Sequence, residues 1–488
     1  MSRSSGVSRT AALGFLAALL TLGGGAPGAE ASVLPPHVTR SSGGGVPLTL
    51  EEVLASVREQ HPGMEAARQG VAGAEAELLS AQGGFDTTWK TRGIYAPLGY
   101  YPHERFDTLV EQPTTLWGTR FFTGYRLGRG KFPTYYGQYE TLDAGELRAG
   151  IEIPLWRNGP IDKRRAELAK ARLRREMAGF TLVGERLDLQ REAAYHYWEW
   201  VAAGRQLTIA SALHQLALTR HEQLARRVDQ GDIPRMEHTE NERALLEREA
   251  DVVAARRKLE QTALKLSLYL RDEEGEPLLV PAARLPEGLP VPEAAAVAEL
   301  DARLERALRQ RPDLRELALQ REVHRVDAEL ARNQQAPAVD VGLSVARDLG
   351  RGPSNLRPTE VQASLLLDIP LQARGVRGQR QAAEAKQAAV EAKSRLVRDK
   401  VATEVRDALS ALHAAYERVG LARNAANVAR ELARGERSRF EHGATSLLFV
   451  NLREQAAADA ELKEVKALVD YHRAVIDLLA TTAELDPS

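Results

Sequence analysis

The stretch VQASLLLDIPL, residues 361–371, decides the fold. Its odd-numbered positions are apolar and its even-numbered positions are mostly polar, which is the alternation of a strand with one apolar face. Beyond it, no proline interrupts residues 378–439, where Val397, Val401, Val405 and Leu409 recur every fourth residue. Sixty or more residues make a helix of roughly 90–100 Å, longer than any globular core. The stretch therefore predicts a strand that leads into a long helix, which packs beside others as a coiled coil or bundle.

The same order occurs earlier in the chain. LRAGIEIPL, residues 147–155, precedes a proline-free region over 161–226, and the two Ile-Pro-Leu motifs are 216 residues apart. Glycines at 231 and 443 then break the helical regions. Prolines 62 and 312 match at an offset of 250, so the first copy holds 34 more residues than the second. We expect structural repeats over 48–270 and 297–480, each with a helix, a strand pair, a long helix and a final helix.

The N-terminus predicts export. Residues 1–31 combine two arginines, an apolar run over 11–22 and an Ala-Glu-Ala end, which are the three parts of a secretory signal peptide. A buried N-terminal helix is the alternative. The apolar run is too short to cross a bilayer, and no other stretch reaches 18 apolar residues. We expect cleavage after Ala31, a linker over 32–47, an extended proline-rich connector over 271–296 and a C-terminal tail over 481–488.

Composition excludes several classes of function. The 488 residues include no cysteine, which excludes thiol enzymes, disulfide scaffolds and cysteine-ligated metal sites. Sixty-six basic residues balance 67 acidic ones, so no overall positive charge favours nucleic acid. We find no nucleophile motif, phosphate loop or metal-spaced histidine cluster, and expect no catalytic residue, metal or cofactor. We interpret His196 as aromatic packing and His442 as a solvated loop residue, with binding and pH sensing as the alternatives.

Four strands are predicted, two per copy, with a long outer loop over 96–144. Because long helices flank them and export is predicted, we interpret their apolar faces as lipid-facing, with a soluble β-subdomain as the alternative. Four strands cannot close a barrel, so the chain must oligomerise. Fifteen of the 26 aromatic residues lie between Phe85 and Trp156. A membrane-interface girdle is expected from Trp89, Tyr95, Trp117, Tyr125, Tyr135, Tyr136, Tyr139 and Trp156.

This order of strands, Ile-Pro-Leu motifs, long helices and glycine breaks resembles the outer-membrane efflux (TolC-like) family, from about residue 48 to residue 479. The resemblance implies a fold that is mainly α with a small β part. Duplicated long-helix hairpins would form one third of a trimeric α-barrel, and four strands would contribute to a 12-stranded β-barrel. The implied location is the outer membrane of a Gram-negative bacterium, with a large periplasmic part.

The resemblance also implies functional residues. Some family members place pore-narrowing carboxylates just past the second glycine, where this chain has Phe449 and Leu452. We therefore expect a hydrophobic gate that closes by dewetting, with packing of Phe449 between helices as the alternative. The periplasmic tip, which would contact an adaptor protein, comprises Gly231, Asp232, Ile233, Gly443, Ala444, Thr445, Ser446 and Leu447.

The function implied is a passive exit duct of a tripartite efflux or type I secretion system. Its expected partners are two further copies of the chain, a periplasmic adaptor, an inner-membrane pump reached through that adaptor, and outer-membrane lipid; nucleic acid is not expected. The alternative is a periplasmic coiled-coil adaptor or scaffold. Adaptors resemble this chain less, because they have one helical hairpin where this sequence has two.

Overall fold

Two very long helices dominate the computed structural model, which describes residues 39–40, 45–133, 139–292 and 300–485. Helix α3 (Lys163–Asp229) has 67 residues and helix α7 (Arg374–Glu441) has 68. At 1.5 Å per residue each is about 100 Å long. The expected signal peptide lies outside the described residues. One end of each long helix follows a strand and is called here the sheet end; the other is a turn into the next helix and is called the turn end.

Shorter helices flank each half of the long ones. Towards the turn end, α4 (Arg235–Leu266) packs on α3, α3 on α8 (Leu447–Thr481), and α8 on α7. Towards the sheet end, α2 (Pro62–Gln82) packs on α3, α3 on α6 (Pro312–Gln334), and α6 on α7. Only α3 and α7 continue from one half to the other. Four helices therefore lie side by side at both levels, with α7 at one edge and α2 or α4 at the other.

A proline ends the first helix of each copy. Helix α1 (Leu50–Gln60) stops at His61-Pro62, and α5 (Leu300–Gln310) stops at Arg311-Pro312. Proline suits the first position of a new helix, because its missing N–H has no helical partner there. His61 also caps α2, since its Nδ1 accepts a hydrogen bond from the N–H of Gly63 at 3.0 Å.

A belt of packed side chains surrounds the level where α4 ends and α2 begins. Its largest fully buried member is Trp200 of α3, which is enclosed together with Leu266 from the end of α4. The segment before α1 and the connector add Leu48 and Val280 to the same core. The described part of the connector, 271–292, contains no α-helix; its strand β6 (Leu278–Leu279) pairs in parallel with β1 (Thr39–Arg40).

The sheet has six strands where the sequence predicted four. Their order is β2-β3-β4-β5-β7-β8, and all neighbours are antiparallel. The additional hairpin, β3 and β4, lies in the segment expected to be an outer loop. The strands are β2 (Thr88–Ala96), β3 (His103–Pro113), β4 (Arg120–Gly130), β5 (Glu146–Pro154), β7 (Ala338–Asp348) and β8 (Glu360–Asp368).

Side chains divide sharply between the two faces of this sheet. One face is apolar and exposed across all six strands, from Trp89 in β2 through Phe121 in β4 to Leu365 in β8. The other face carries paired charges: Arg126 binds Asp107 at 3.0 Å on the next strand. The alternation predicted from the sequence is therefore present. Among the described residues, no helix is long and apolar enough to cross a membrane.

Candidate functional site

The two turns at the ends of the long helices have the same backbone design. After α3, Gly231 adopts φ +78°, and the N–H of Asp232 donates to the carbonyl of Arg227 at 2.9 Å. After α7, Gly443 adopts φ +72°, and the N–H of Ala444 donates to the carbonyl of Arg439 at 2.8 Å. This is the Schellman cap, in which a left-handed glycine satisfies the last helical carbonyls. A Cβ at either glycine would meet nothing within 4 Å, so backbone conformation selects glycine here.

All the residues expected at the periplasmic tip lie in these two turns. Gly231 and Asp232 are exposed, and Ile233 is partly covered before α4 begins. The second turn is braced from within: Thr445 donates to the Glu436 carboxylate at 2.5 Å, and Arg439 donates to the Ala444 carbonyl at 3.2 Å. Of the remaining tip residues, Gly443 and Ser446 are exposed and Leu447 is buried.

The two expected gate residues follow immediately on α8. Phe449 and Leu452 are both more than half exposed, as is Leu448 between the turn and Phe449. Leu448 and Leu452 line a groove that α8 forms with α4, beside Arg248. Phe449 does not pack into a core within the described chain. Three large apolar side chains thus stand exposed within two helical turns of the tip.

Below these exposed residues lies a buried charge cluster centred on Glu454 of α8. The Glu454 carboxylate accepts hydrogen bonds from Arg220 at 3.2 Å, Arg248 at 3.1 Å and Arg437 at 3.0 Å. Asn451, one turn earlier, accepts from Arg220 at 3.0 Å. The three arginines come from α3, α4 and α7, so this single carboxylate joins all four helices near the tip.

Burial makes this cluster energetically important. The side chain of Glu454 is 2% exposed and those of Arg248 and Arg220 are 4% and 8% exposed, whereas Arg437 reaches solvent. Burial alone would raise the pKa of Glu454, but the hydrogen bond and charge of Arg220, with the charges of Arg248 and Arg437, hold that pKa below its ordinary value. Burial is also the main reason why the pKa of Arg248 is lowered. Glu454 therefore stays ionised, and the arginines depend on it.

The sequence pattern did not predict this cluster. The nearest partner of Glu454 in sequence is Arg437, 17 residues away, and the farthest is Arg220, 234 residues away. The available signal is local: Glu454 lies among the alanines and apolar residues that α8 buries. A carboxylate on a buried helix face requires a cation, but one sequence does not say which arginine supplies it.

The expected girdle residues occupy three kinds of position. Trp89 and Tyr95 are about three-quarters exposed on the apolar face of β2, and Tyr125 shares that face on β4. Trp117, between β3 and β4, and Trp156, after β5, are about half exposed at the helical edge of the sheet. Tyr135 and Tyr136 lie outside the described residues.

Tyr139 requires a correction, because it lies on the charged face of the sheet. The guanidinium carbon of Arg105 is 3.9 Å from the centre of its ring, and that of Arg126 is 5.3 Å away. Both arginines also bind Asp107 on this face. Two cations over one ring hold Tyr139 by cation–π attraction, on the side away from the apolar surface.

In the part of the chain that the structure describes, no group of three or more acidic or histidine side chains is placed to hold a metal ion. His196 stacks on Tyr269 with ring centres 5.3 Å apart, and its Nδ1 lies 3.4 Å from the Glu199 carboxylate. His442 is exposed in the second turn, with Nδ1 2.7 Å from the Ser438 carbonyl. Of these two histidines, His196 thus takes part in aromatic packing and His442 in a turn.

The second repeat matches a known family. Residues 304–484 match the outer membrane efflux protein family, which confirms the resemblance inferred from the repeated motifs. No curated protein matches the chain.

Several solved structures share the fold. CusC, described with conformational changes that accompany transmembrane channel formation, has a TM-score of 0.64 at 15% identity, covering 89% of this chain and 91% of its own. The outer membrane protein VceC of Vibrio cholerae has a TM-score of 0.62 at 14% identity, covering 89% and 95%. The open outer membrane channel MtrE of Neisseria gonorrhoeae has 0.61 at 16%, covering 90% and 89%. These similarities confirm the fold class predicted from the sequence, mainly α with a small β part, and the β part is an antiparallel sheet.

Proposed function

We propose that this chain is the outer-membrane exit duct of a tripartite efflux or type I secretion system. The observation that carries the proposal is the sheet with an exposed apolar face and a charged opposite face, joined to helices of 67 and 68 residues. An exposed apolar sheet is stable in lipid, and its charged face can line water. Helices about 100 Å long can extend a passage far beyond a bilayer about 30 Å thick. The work is passive transport, and it needs no cofactor.

The tip is the proposed gate. Phe449 and Leu452 are exposed and apolar just past the second turn, where a ring of such side chains from several copies would exclude water. The Glu454 cluster lies directly behind them and links the α3–α4 pair to the α7–α8 pair. Opening the tip by separating these pairs requires that buried charges lose their partners. The cluster would therefore act as the latch of the closed gate.

The proposed assembly is a homotrimer in the outer membrane of a Gram-negative bacterium. The turns at Gly231 and Gly443 are exposed and rigidly capped, which suits docking of a periplasmic adaptor that brings an inner-membrane pump. Trp89, Tyr95 and Trp117 would lie at the lipid–water boundaries, where amphipathic rings are favoured. The class of cargo would follow from the pump.

The competing function is that of a periplasmic coiled-coil adaptor or scaffold. Two observations count against it: the chain has two long hairpins where an adaptor needs one, and its sheet leaves an apolar face exposed on all six strands. A water-soluble scaffold would have to cover that surface.

Membrane fractionation of the expressed, full-length chain tests the proposal. We expect a heat-sensitive oligomer in the outer-membrane fraction that needs detergent for extraction. Release by osmotic shock as a soluble monomer would contradict the duct and favour the scaffold. Reconstitution then measures transport directly, since a duct must conduct ions in a planar bilayer and a scaffold does not.

A further inference from the structure

The sheet and the helical layer have their free edges on the same two sides of the chain. In the sheet, β2 and β8 are the edge strands. β2 is continuous in sequence with α2, and β8 leads into α7, which are also the edges of the helical layer. One side of the chain therefore runs along β2, α2 and α4, and the other runs along β8 and α7. Open strand edges present unpaired N–H and C=O groups that require a partner.

The two strand edges match each other. β2 and β8 have nine residues each, and they run in opposite directions relative to the helices, so that β8 of one copy beside β2 of the next makes an antiparallel pair. On the charged face, β2 carries Lys90 and Arg92, whereas β8 carries Glu360 and Asp368. Within one chain Lys90 already binds Glu111, and Arg157 binds Asp368 at 2.5 Å, so a neighbouring copy would extend these ion pairs across the two edges. Two different edges that complement each other make a head-to-tail interface, which closes into a ring when the rotations from copy to copy add up to one full turn.

The helical edges match at the same height. On α4, Leu246 and Val253 are exposed and seven residues apart; on α7, Leu421 and Val428 are exposed and seven residues apart. Leu246 lies 11 residues after the start of α4 and Val428 lies 13 before the end of α7, which places both about 17–20 Å from the tip. The other two lie about 27–30 Å from it. A spacing of seven residues places both apolar side chains on one face of each helix, as two successive positions of a coiled-coil contact would be.

Six strands also occupy about the same width as the four helices, measured along the circumference of a barrel. Six strands about 4.8 Å apart and tilted by about 40° occupy about 38 Å of a barrel's circumference. Four helices at 8–10 Å spacing occupy about 32–40 Å. Four strands would occupy only about 25 Å. With the additional hairpin, β3 and β4, the sheet therefore occupies about the same length of circumference as the four helices next to it.

We propose that copies of this chain join along one continuous seam, β8 and α7 of one copy against β2, α2 and α4 of the next, so that a trimer encloses an 18-stranded barrel. This rests on the trimeric outer-membrane duct proposed above. Since barrel diameter grows roughly in proportion to strand number, the membrane passage is about half again as wide as that of the 12-stranded barrel expected from the sequence.

The first test asks whether the additional hairpin is part of the lipid-facing wall. A fluorophore is attached to a single cysteine in the reconstituted protein, and quenching by brominated lipid is measured. Val110→Cys lies on the apolar face of β3, and Val345→Cys lies in the same row of the sheet on β7. Leu109→Cys is the matched control on the charged face. We expect quenching at 110 within about twofold of that at 345, and several-fold weaker quenching at 109.

The outcomes separate the two proposals. Quenching at 345 without quenching at 110 would leave the duct in place but overturn the 18-stranded barrel. Absence of quenching at all three positions would overturn both the barrel and the duct.

The second test examines the seam, and it uses the absence of native cysteine. Copies with Val253→Cys are co-expressed with copies with Leu421→Cys, so that any disulfide between the two positions joins different chains. We expect a crosslinked dimer on oxidation. Leu216→Cys on α3, in the middle of the helical layer, replaces Val253→Cys as the control and should not crosslink to position 421. A trimer that crosslinks equally from positions 253 and 216 would overturn the seam.

Discussion

Replacing Glu454 by glutamine should release the tip. The substitution keeps the shape of the side chain but removes the charge that three arginines share. Arg220 and Arg248, at 8% and 4% side-chain exposure, would then be buried without a counter-ion. Breaking a buried pair in this way costs about 3–5 kcal/mol, much of it from the charge left behind. Arg437 adds little, because about a third of its side chain already reaches solvent.

The chain offers a matched control seven residues later on the same helix. Glu461 also binds an arginine of α7, Arg430, at 3.4 Å, but the two side chains are 27% and 45% exposed. An exposed pair of this kind contributes about 0–1 kcal/mol, so Glu461→Gln should change little. The expected difference between the variants is about 3 kcal/mol, or roughly a 100-fold larger population of loosened tips in Glu454→Gln.

Single-channel recording in planar bilayers measures that difference. Glu454→Gln should show frequent long openings and a raised leak at low voltage, whereas Glu461→Gln should match the unmodified channel. Thermal unfolding and the yield of the oligomer are recorded in parallel. A general loss of folding would lower the yield, whereas a specific effect on the tip would lengthen the openings of an intact oligomer. Equal leak in the two variants, with both oligomers intact, would refute the role of the buried cluster as a latch.

Three further results are expected. Phe449→Ser should raise leak at least a few-fold by wetting an apolar ring, and unchanged leak in bilayer recordings would contradict a hydrophobic gate. Because the pKa of Glu454 is lowered in the folded chain, its stabilising effect is complete above the ordinary glutamate pKa of about 4.3 and is lost as pH falls through the lower folded value; leak measured against pH should rise only in that acidic range and should not do so in Glu454→Gln. Gly443→Ala should destabilise the oligomer by about 1–2 kcal/mol in thermal unfolding, because alanine is strained at φ +72°, whereas Gly435→Ala, inside α7 with open space around it, should stabilise it by about 0.4–1 kcal/mol; effects of the same sign would contradict this reasoning.

The long helices were the most predictable part of the fold. Proline-free regions over 161–226 and 378–439 predicted them, and the structure has them at Lys163–Asp229 and Arg374–Glu441. Such agreement has a simple cause: without proline, and with alanine and charged residues throughout, nothing in the sequence competes with the helix. The sequence also predicted the turns at Gly231 and Gly443, because a left-handed cap favours glycine.

The additional hairpin was missed because β4 does not look like a strand. It contains Gly124, Gly128 and Gly130, which lower the strand propensity and ordinarily indicate turns. The structure gives the reason for one of them: a Cβ at Gly124 would lie 2.9 Å from the side chain of Leu109 on β3. The glycine makes room for the neighbouring strand, and that requirement becomes visible only when the two strands are paired.

The buried cluster and the position of Tyr139 depended on tertiary contacts of the same kind. Nothing near Tyr139 in sequence distinguishes it from Tyr125, yet the two lie on opposite faces of the sheet. An aromatic residue in a connecting segment can turn to either face, so alternation does not decide its position. Glu454 and its arginines are likewise brought together only by the packing of four helices.

The arrangement of short helices along long ones has a mechanical consequence. At the level of Trp200, α4 has ended and α2 has not begun, whereas α3, α7 and α8 run through it, and Trp198 stacks on His472 of α8 with ring centres 4.1 Å apart. A layer of four helices with one of them interrupted at one level should bend there first. The belt around Trp200 includes Leu48, Leu266 and Val280, and its packing holds the neighbouring segments together where the helix is interrupted. Substitutions that loosen the belt should therefore make the helical layer bend more easily while the contacts at the tip stay unchanged. A displacement caused by a partner at one end would then be taken up by bending at this level before it reached the other end.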